Sequence, residues 1–144
     1  MAQAKQLTGM RGVYLVAAEL CRRGFIASPT SRSAIGVDIL VTDQECQMAY
    51  AVQVKTNAKT FGFWLVGPKA KTMRSPHHIY VLVNIKSGRG CETIDYYIVP
   101  SAVVAEKTVY SKATTGKSEW YQFNLSDAVP FTDDWSPFGL SSLA

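Results

Sequence analysis

Three side chains that could carry chemistry lie on two successive predicted strands. Asp38 interrupts the apolar run of residues 36–42, and Gln53 and Lys55 lie two positions apart in residues 48–56. Because side chains alternate across a strand, Gln53 and Lys55 share one face. Pairing of the two strands as a hairpin would place Asp38 on the same half-buried surface, so that an acid, an amide and a lysine converge there.

This combination is suited to metal-assisted hydrolysis of a phosphodiester. A buried charge is costly unless it is paired or holds a metal. A carboxylate, an amide oxygen and a backbone carbonyl are hard ligands of the kind that Mg²⁺ prefers. A bound cation would lower the pKa of its water and neutralise charge on the phosphodiester, with the lysine near that water. The alternative is an Asp38–Lys55 ion pair that only stabilises the hairpin.

The elements that would position these residues alternate along the chain. Apolar side chains at spacings of three and four predict a helix over residues 5–23 (Leu7, Met10, Tyr14, Ala17 and Cys21, widened by Val13, Val16 and Leu20). Gly24 is placed as its stop. Further strands are predicted over residues 25–28, 61–66, 79–85, 93–99 and, as an edge strand, 121–125. A second helix is predicted from Pro100 and Ser101 to Lys107, with Ser101 as a candidate cap. This order predicts an α/β (α+β) sandwich around a central mixed β-sheet flanked by helices.

The run GVDILVTD followed by VQVKT resembles the PD-(D/E)XK nuclease superfamily, in which an Asp on one strand precedes an acid, any residue and Lys on the next. The segments VAAELCRRGFIASPT, FWLV and YYIVPSAVV are similar to small bacterial members with a D…QxK variant, over roughly residues 9–107. The resemblance implies a restriction-endonuclease-like core and a metal-dependent DNA endonuclease. It also implies that Asp38, Gln53 and the Val54 carbonyl hold Mg²⁺ (or Mn²⁺), with Lys55 acting on the water.

The chain departs from that pattern at two positions. Gln53 stands where an acid is usual and would supply an oxygen without a charge. Many relatives carry Glu directly after a glycine in the first helix, whereas Gly12 is here followed by Val13. Glu19, seven residues after Gly12, returns to nearly the same azimuth and is a candidate catalytic residue and outer metal ligand. The alternative is a surface glutamate paired with Arg22 or Arg23.

The composition bounds the remaining possibilities. The chain has 144 residues, 47% hydrophobic and 18% charged, as expected for one globular domain over residues 1–144. Its apolar runs are too short for a membrane span, and no secretory signal is recognised. Three widely spaced cysteines form neither a disulfide framework nor a zinc pair, so we expect a cytoplasmic protein.

The basic charge is concentrated in the middle of the chain, where seven Lys or Arg residues and no Asp or Glu lie between Glu45 and Glu92. Residues 1–124 hold fifteen basic and eight acidic side chains, a net charge of +7, although the whole chain carries only +4. A basic region of this kind suggests binding of a polyanion such as DNA or RNA. The alternative is a lysine-rich surface that only contacts solvent. Candidate nucleic-acid contacts are Arg32, Lys59, Lys69, Lys71 and Arg74.

The aromatic, acidic tail over residues 120–144 is expected to pack on the body or on a partner chain. A domain this small would need a second copy to cut two strands, so a homodimer or higher homo-oligomer is expected. The rival hypotheses are an inert nuclease-fold protein that binds nucleic acid or serves in assembly, and an unrelated α/β interaction protein with a structural Asp38–Lys55 pair.

Overall fold

The computed structural model describes residues 2–31, 35–59 and 62–139. Its α-helices are α1 (Ala2–Arg22), α2 (Ser101–Lys107) and α3 (Leu125–Ala128), and short 3₁₀ helices span Pro68–Lys71, Val129–Phe131 and Ser136–Phe138. The strands are β1 (Ile26–Pro29), β2 (Ile39–Thr42), β3 (Ala49–Asn57), β4 (Phe63–Leu65), β5 (His78–Gly88), β6 (Cys91–Pro100), β7 (Val109–Lys112) and β8 (Glu119–Asn124).

Five strands form the central sheet in the order β1-β2-β3-β5-β6. The β3–β5 pair is parallel and the other pairs are antiparallel, so the sheet is mixed. The expected α/β (α+β) sandwich with a central mixed sheet flanked by helices is therefore confirmed. The predicted hairpin is β2–β3, in which Ile39 faces Val52 and Thr42 faces Ala49.

Apolar cores cover both faces of the central sheet. One face of β5 (Ile79, Val81 and Val83) packs in a core with α1, and the other (Tyr80 and Leu82) packs in a second core that includes Trp64 of β4. All five of these β5 side chains are at most 3% exposed. This explains the nearly continuous apolar sequence of the strand, since neither face meets water.

The strand and helix predictions need three corrections. β8 lies in the middle of a second sheet, ordered β4-β8-β7, and is not an edge strand. β7, over Val109–Lys112, was not predicted at all, because its four residues are exposed and carry no alternating pattern. Ser101 does not cap α2: its hydroxyl donates to the Ser75 carbonyl and accepts from the Ser75 amide, tying down the preceding loop.

The buried face of α1 is narrower than the apolar pattern predicts. Val16, Ala17 and Leu20 are buried, whereas Leu7 is 58% exposed and Tyr14 is 59% exposed. The helix ends where predicted: Gly24 has a φ of 92°, a left-handed conformation, and the Phe25 amide bonds to the Leu20 carbonyl. Spacing alone could not identify the buried side because apolar residues surround most of this helix.

The last described segment folds back onto the α1 side of the sheet. Its Trp135 and Phe138 are 3% and 2% exposed and lie in the core beneath α1. The guanidinium of Arg23 lies 4.7 Å from the centre of the Trp135 ring. Two residues before Trp135, the Asp133 amide donates to the Tyr96 carbonyl on β6, which is an edge strand of the central sheet.

Among the described residues, no helix is both long enough and apolar enough to cross a lipid bilayer.

Candidate active site

Asp38 lies immediately before β2, at the point where the chain enters the central sheet. Its amide donates to the Val52 carbonyl at 2.7 Å, and its own carbonyl accepts the Thr30 amide at 2.9 Å. These bonds continue the pairing of β2 with β3 on one side and with β1 on the other. The backbone of Asp38 is thus fixed on both sides, although its side chain interrupts an apolar sequence.

The Asp38 carboxylate faces β3. One oxygen, Oδ2, accepts the Gln53 Nε2 at 3.1 Å and the Val54 amide at 2.8 Å. The expected juxtaposition of Asp38 with Gln53 is therefore present. Val52 and Val54 are buried, whereas Gln53 and Lys55 are half-buried, which is the alternation expected of β3.

A cavity of about 300 Å³ opens over this carboxylate. Lys55 lines it together with Asp38, Gln53 and Val54, so all the residues of the predicted motif meet at one place. The rest of the lining comes from the first half of α1 and the end of β1: Gln6, Gly9, Met10, Val13, Tyr14, Pro29, Thr30 and Ser31. In the described part of the chain no ion pair joins Asp38 to Lys55, which removes the main support for a structural pair.

Val13 lies in the wall of the same cavity. Position 13, at which many members of the family that the chain resembles carry a glutamate, therefore lines the cavity that contains Asp38. The chain has a hydrocarbon side chain there. Asp38 is consequently the one acidic residue among the described residues that line the cavity.

Glu19 is not brought to this cavity. Its carboxylate pairs with Arg22 at 2.5 Å and with Arg23 at 3.1 Å, and it does not line the cavity. The hydrogen bond from Arg22, with further help from Arg23, lowers the pKa of Glu19 below its ordinary value of 4.5. The structure thus shows the pairing with Arg22 and Arg23, and the geometry gives no support to Glu19 as a metal ligand.

Two further contacts fix the backbone that leads to Asp38. The Thr30 hydroxyl donates to the Val37 carbonyl at 2.6 Å, and Nε2 of His78 donates to the Gly36 carbonyl at 2.9 Å. His78 is 5% exposed and is a buried residue of β5. Sequence reasoning missed both residues because their partners are backbone carbonyls, which the pattern of side chains does not reveal.

The predicted nucleic-acid contacts are spread over different surfaces. Lys59 lies next to the cavity, in a groove that also contains Lys55. Lys69 and Lys71 lie on the 3₁₀ helix that packs against α2, and Lys71 donates to the Thr108 carbonyl at 2.8 Å. Arg74 is exposed in the loop that follows. Arg32 lies outside the described residues.

The donor set permits a divalent cation but is sparse. The described residues contain no cluster of three or more His, Cys, Asp or Glu side chains that could hold a metal. Asp38 supplies one carboxylate oxygen pair. Gln53 uses its nitrogen toward Asp38, so its Oε1 is the atom suited to a cation. One charge with neutral oxygen ligands fits Mg²⁺, which keeps several waters and is completed by substrate phosphate oxygens.

The fold is similar to that of Hjc, a Holliday junction resolvase from the archaeal hyperthermophile Archaeoglobus fulgidus. The two chains are 14% identical, with a TM-score of 0.52, and the likeness covers 89% of this chain and 92% of Hjc. No protein-family model and no curated protein sequence matches the chain. At this level of identity the likeness concerns architecture, and it establishes the restriction-endonuclease-like fold that the sequence predicts.

Proposed function

We propose that the protein is a metal-dependent endonuclease that hydrolyses phosphodiester bonds in DNA. The observation that carries the proposal is the meeting of the Asp38 carboxylate, Gln53, Val54 and Lys55 at one cavity. The likeness in fold to a Holliday junction resolvase supports DNA as the substrate class.

Asp38, Gln53 and Val54 would hold the cation, Mg²⁺ or Mn²⁺. The N–H and C=O of one residue in an extended strand lie on the same side. The Val54 amide bonds to Asp38, so the Val54 carbonyl points toward the same edge of β3. When bound, the cation would supply an activated water and offset the negative charge of the phosphate.

Lys55 has the one positive charge among the described residues that line the cavity. Its amine would orient the attacking water by hydrogen bonding and stabilise the charge that develops on the phosphate oxygens. No ion pair joins this amine to Asp38. Lys59 and the more distant Lys69, Lys71 and Arg74 would contact the DNA backbone without reading its sequence. A homodimer would provide a second site for the opposite strand.

The test is cleavage of plasmid and oligonucleotide DNA with Mg²⁺ or Mn²⁺. We expect wild-type cleavage that EDTA abolishes, and loss of cleavage in Asp38→Ala and Lys55→Ala. Loss of a group that acts in the transition state should lower the rate by about a hundredfold or more. Thermal unfolding of each variant shows whether the fold is kept. Cleavage that survives in a folded Lys55→Ala protein would overturn the proposal.

A specific observation favours a second candidate, an inert nuclease-fold protein that binds nucleic acid. Val13 occupies the cavity wall where another carboxylate would complete the metal ligands, and Gln53 adds no charge. Such a protein would bind DNA with an affinity that falls steeply as salt is raised. DNA left intact with every divalent cation, while Asp38→Ala binds DNA as well as wild type, would support this candidate.

A further inference from the structure

We infer that the DNA bound at this site has unpaired nucleotides beside the phosphodiester that is cut, and that they lie in a groove between α1 and β4. The inference rests on the proposed function, because it specifies the substrate of the same site. The groove has a volume of about 550 Å³. Its lining includes three lysines, a threonine and two apolar side chains: Lys5, Lys55, Lys59, Thr8, Phe63 and Leu65.

The groove continues directly from the cavity that holds Asp38. Lys55 lines both, so its side chain forms the boundary between them. A strand whose phosphate lies at Lys55 can therefore place the nucleotides on one side of that phosphate in this groove.

The apolar wall of the groove is held rigidly. Trp64 is 1% exposed, and its indole nitrogen donates to the Val83 carbonyl at 3.1 Å. The Asn57 amide group donates to the Phe63 carbonyl at 2.9 Å. Because side chains alternate along β4, anchoring Trp64 inward turns Phe63 and Leu65 outward, where they are 38% and 52% exposed.

The charge of the groove fits a polyanion. Lys5, Lys55 and Lys59 contribute three cations, and none of its described lining residues is acidic. A second copy of this chain fits less well, because the body of that copy is itself basic.

The combination of lysines with an exposed aromatic ring favours unpaired nucleotides over duplex DNA. A duplex offers phosphates and groove edges to a protein and keeps its base faces stacked. An unpaired base exposes its face, which stacks on an aromatic side chain while lysines follow the phosphates. Phe63 is the ring placed for such stacking, and Leu65 extends the apolar surface.

The experiment compares two DNA substrates of the same sequence, one continuous duplex and one with a short single-stranded gap. Affinity is measured by fluorescence anisotropy in EDTA, and cleavage is measured with Mg²⁺. We expect wild type to favour the gapped DNA about fivefold or more, the effect of stacking one base. Phe63→Ala should bring this preference close to one, and Phe63→Tyr should restore it.

Trp120→Ala is the matched control. Trp120 is 42% exposed on β8 of the same sheet and does not line the groove, so its removal should leave the preference unchanged. Equal affinity of wild type for both substrates would overturn the inference, and so would a preference that survives in Phe63→Ala. If Lys55→Ala still abolishes cleavage in either case, the proposed function stands without it. A change of oligomeric state in Phe63→Ala, with the preference intact, would assign the groove to a second copy and overturn the inference.

Discussion

At the scale of single residues, the environment of Asp38 decides what the site can do. Its Oδ2 already accepts two hydrogen bonds from β3, which hold the carboxylate in one orientation. No second acid lies among the described residues that line the cavity. The weakness of the site is therefore its charge, because one carboxylate holds a divalent cation less tightly than two.

Val13→Glu should strengthen cation binding. The new carboxylate would enter the wall of the cavity that contains Asp38, so both charges would face one cation. Without metal, repulsion between the two acids should lower the melting temperature. Mn²⁺ or Mg²⁺ should then raise it more than in wild type, and calorimetric titration should give a tighter dissociation constant.

Val13→Gln is the control for that change, since it has the same size without the charge. Equal metal affinity in the two variants would show that the cation does not bind at this cavity.

Glu19→Gln should change stability with pH and leave cleavage intact. Arg22 and Arg23 lower the pKa of Glu19, so its contribution to stability is present above its ordinary value of 4.5 and is lost as pH falls through the lower folded value. The variant should be less stable than wild type at pH 7, and the difference should vanish under more acidic conditions. Urea unfolding at several pH values measures it. A stability difference independent of pH, or loss of cleavage, would contradict this role.

At the scale of elements, the close approach of α1 to β3 positions the site. A Cβ on Gly12 would lie 1.7 Å from the hydroxyl oxygen of Thr56 and 2.8 Å from its Cβ. Only glycine permits this distance between helix and strand. The contact places the α1 wall of the cavity against Asp38 and Lys55, so a packing residue outside the lining sets the width of the site.

Gly12→Ala should therefore destabilise the fold by about 1–3 kcal/mol, the usual cost of forcing extra volume into a packed contact. Gly9→Ala is a matched control on the same helix, because nothing lies within 4 Å of its added Cβ. It should stabilise the helix by about 0.5–1 kcal/mol through its higher helix propensity. Thermal or urea unfolding compares the two. Equal effects of both substitutions would rule out the close contact as the reason for glycine at position 12.

At the scale of the whole molecule, the C-terminal segment ties α1 to the central sheet. Arg23 connects α1 to this segment. The guanidinium of Arg23 bonds to Glu19, lies over Trp135 and approaches the Asp133 carboxylate at 3.6 Å. The Asp133 backbone in turn occupies part of the edge of β6. An edge strand covered in this way is protected from pairing with other chains.

Trp135→Ala should cost about 3–5 kcal/mol of unfolding free energy, because it removes a buried aromatic side chain from the core beneath α1. Trp120→Ala, on the exposed face of β8, should change stability by about 0.5 kcal/mol or less. Urea denaturation of both variants provides the comparison. Similar losses would mean that the segment contributes little to the fold.

Those parts of the structure that depend on local pattern could be predicted from the sequence alone. Alternation in residues 48–56 predicted that Gln53 and Lys55 share one face of β3, and the apolar sequence of residues 79–85 predicted the strand β5. Asp38, Gln53 and Lys55 could be recognised because the hairpin that joins them is local, and a charge within an apolar strand is unusual. The end of α1 at Gly24 could also be predicted, because the bonds that end a helix join residues close along the chain.

The remaining features depend on contacts between residues distant along the chain, and these are set by the three-dimensional fold. It placed Val13 in the cavity and Glu19 outside it, although both lie on one helix whose apolar residues permitted several orientations. It put β8 at the centre of a second sheet and turned Phe63 outward beside Lys55. Helical spacing fixes the angle between two side chains, whereas the packing at Gly12 and Thr56 fixes which of them faces the site.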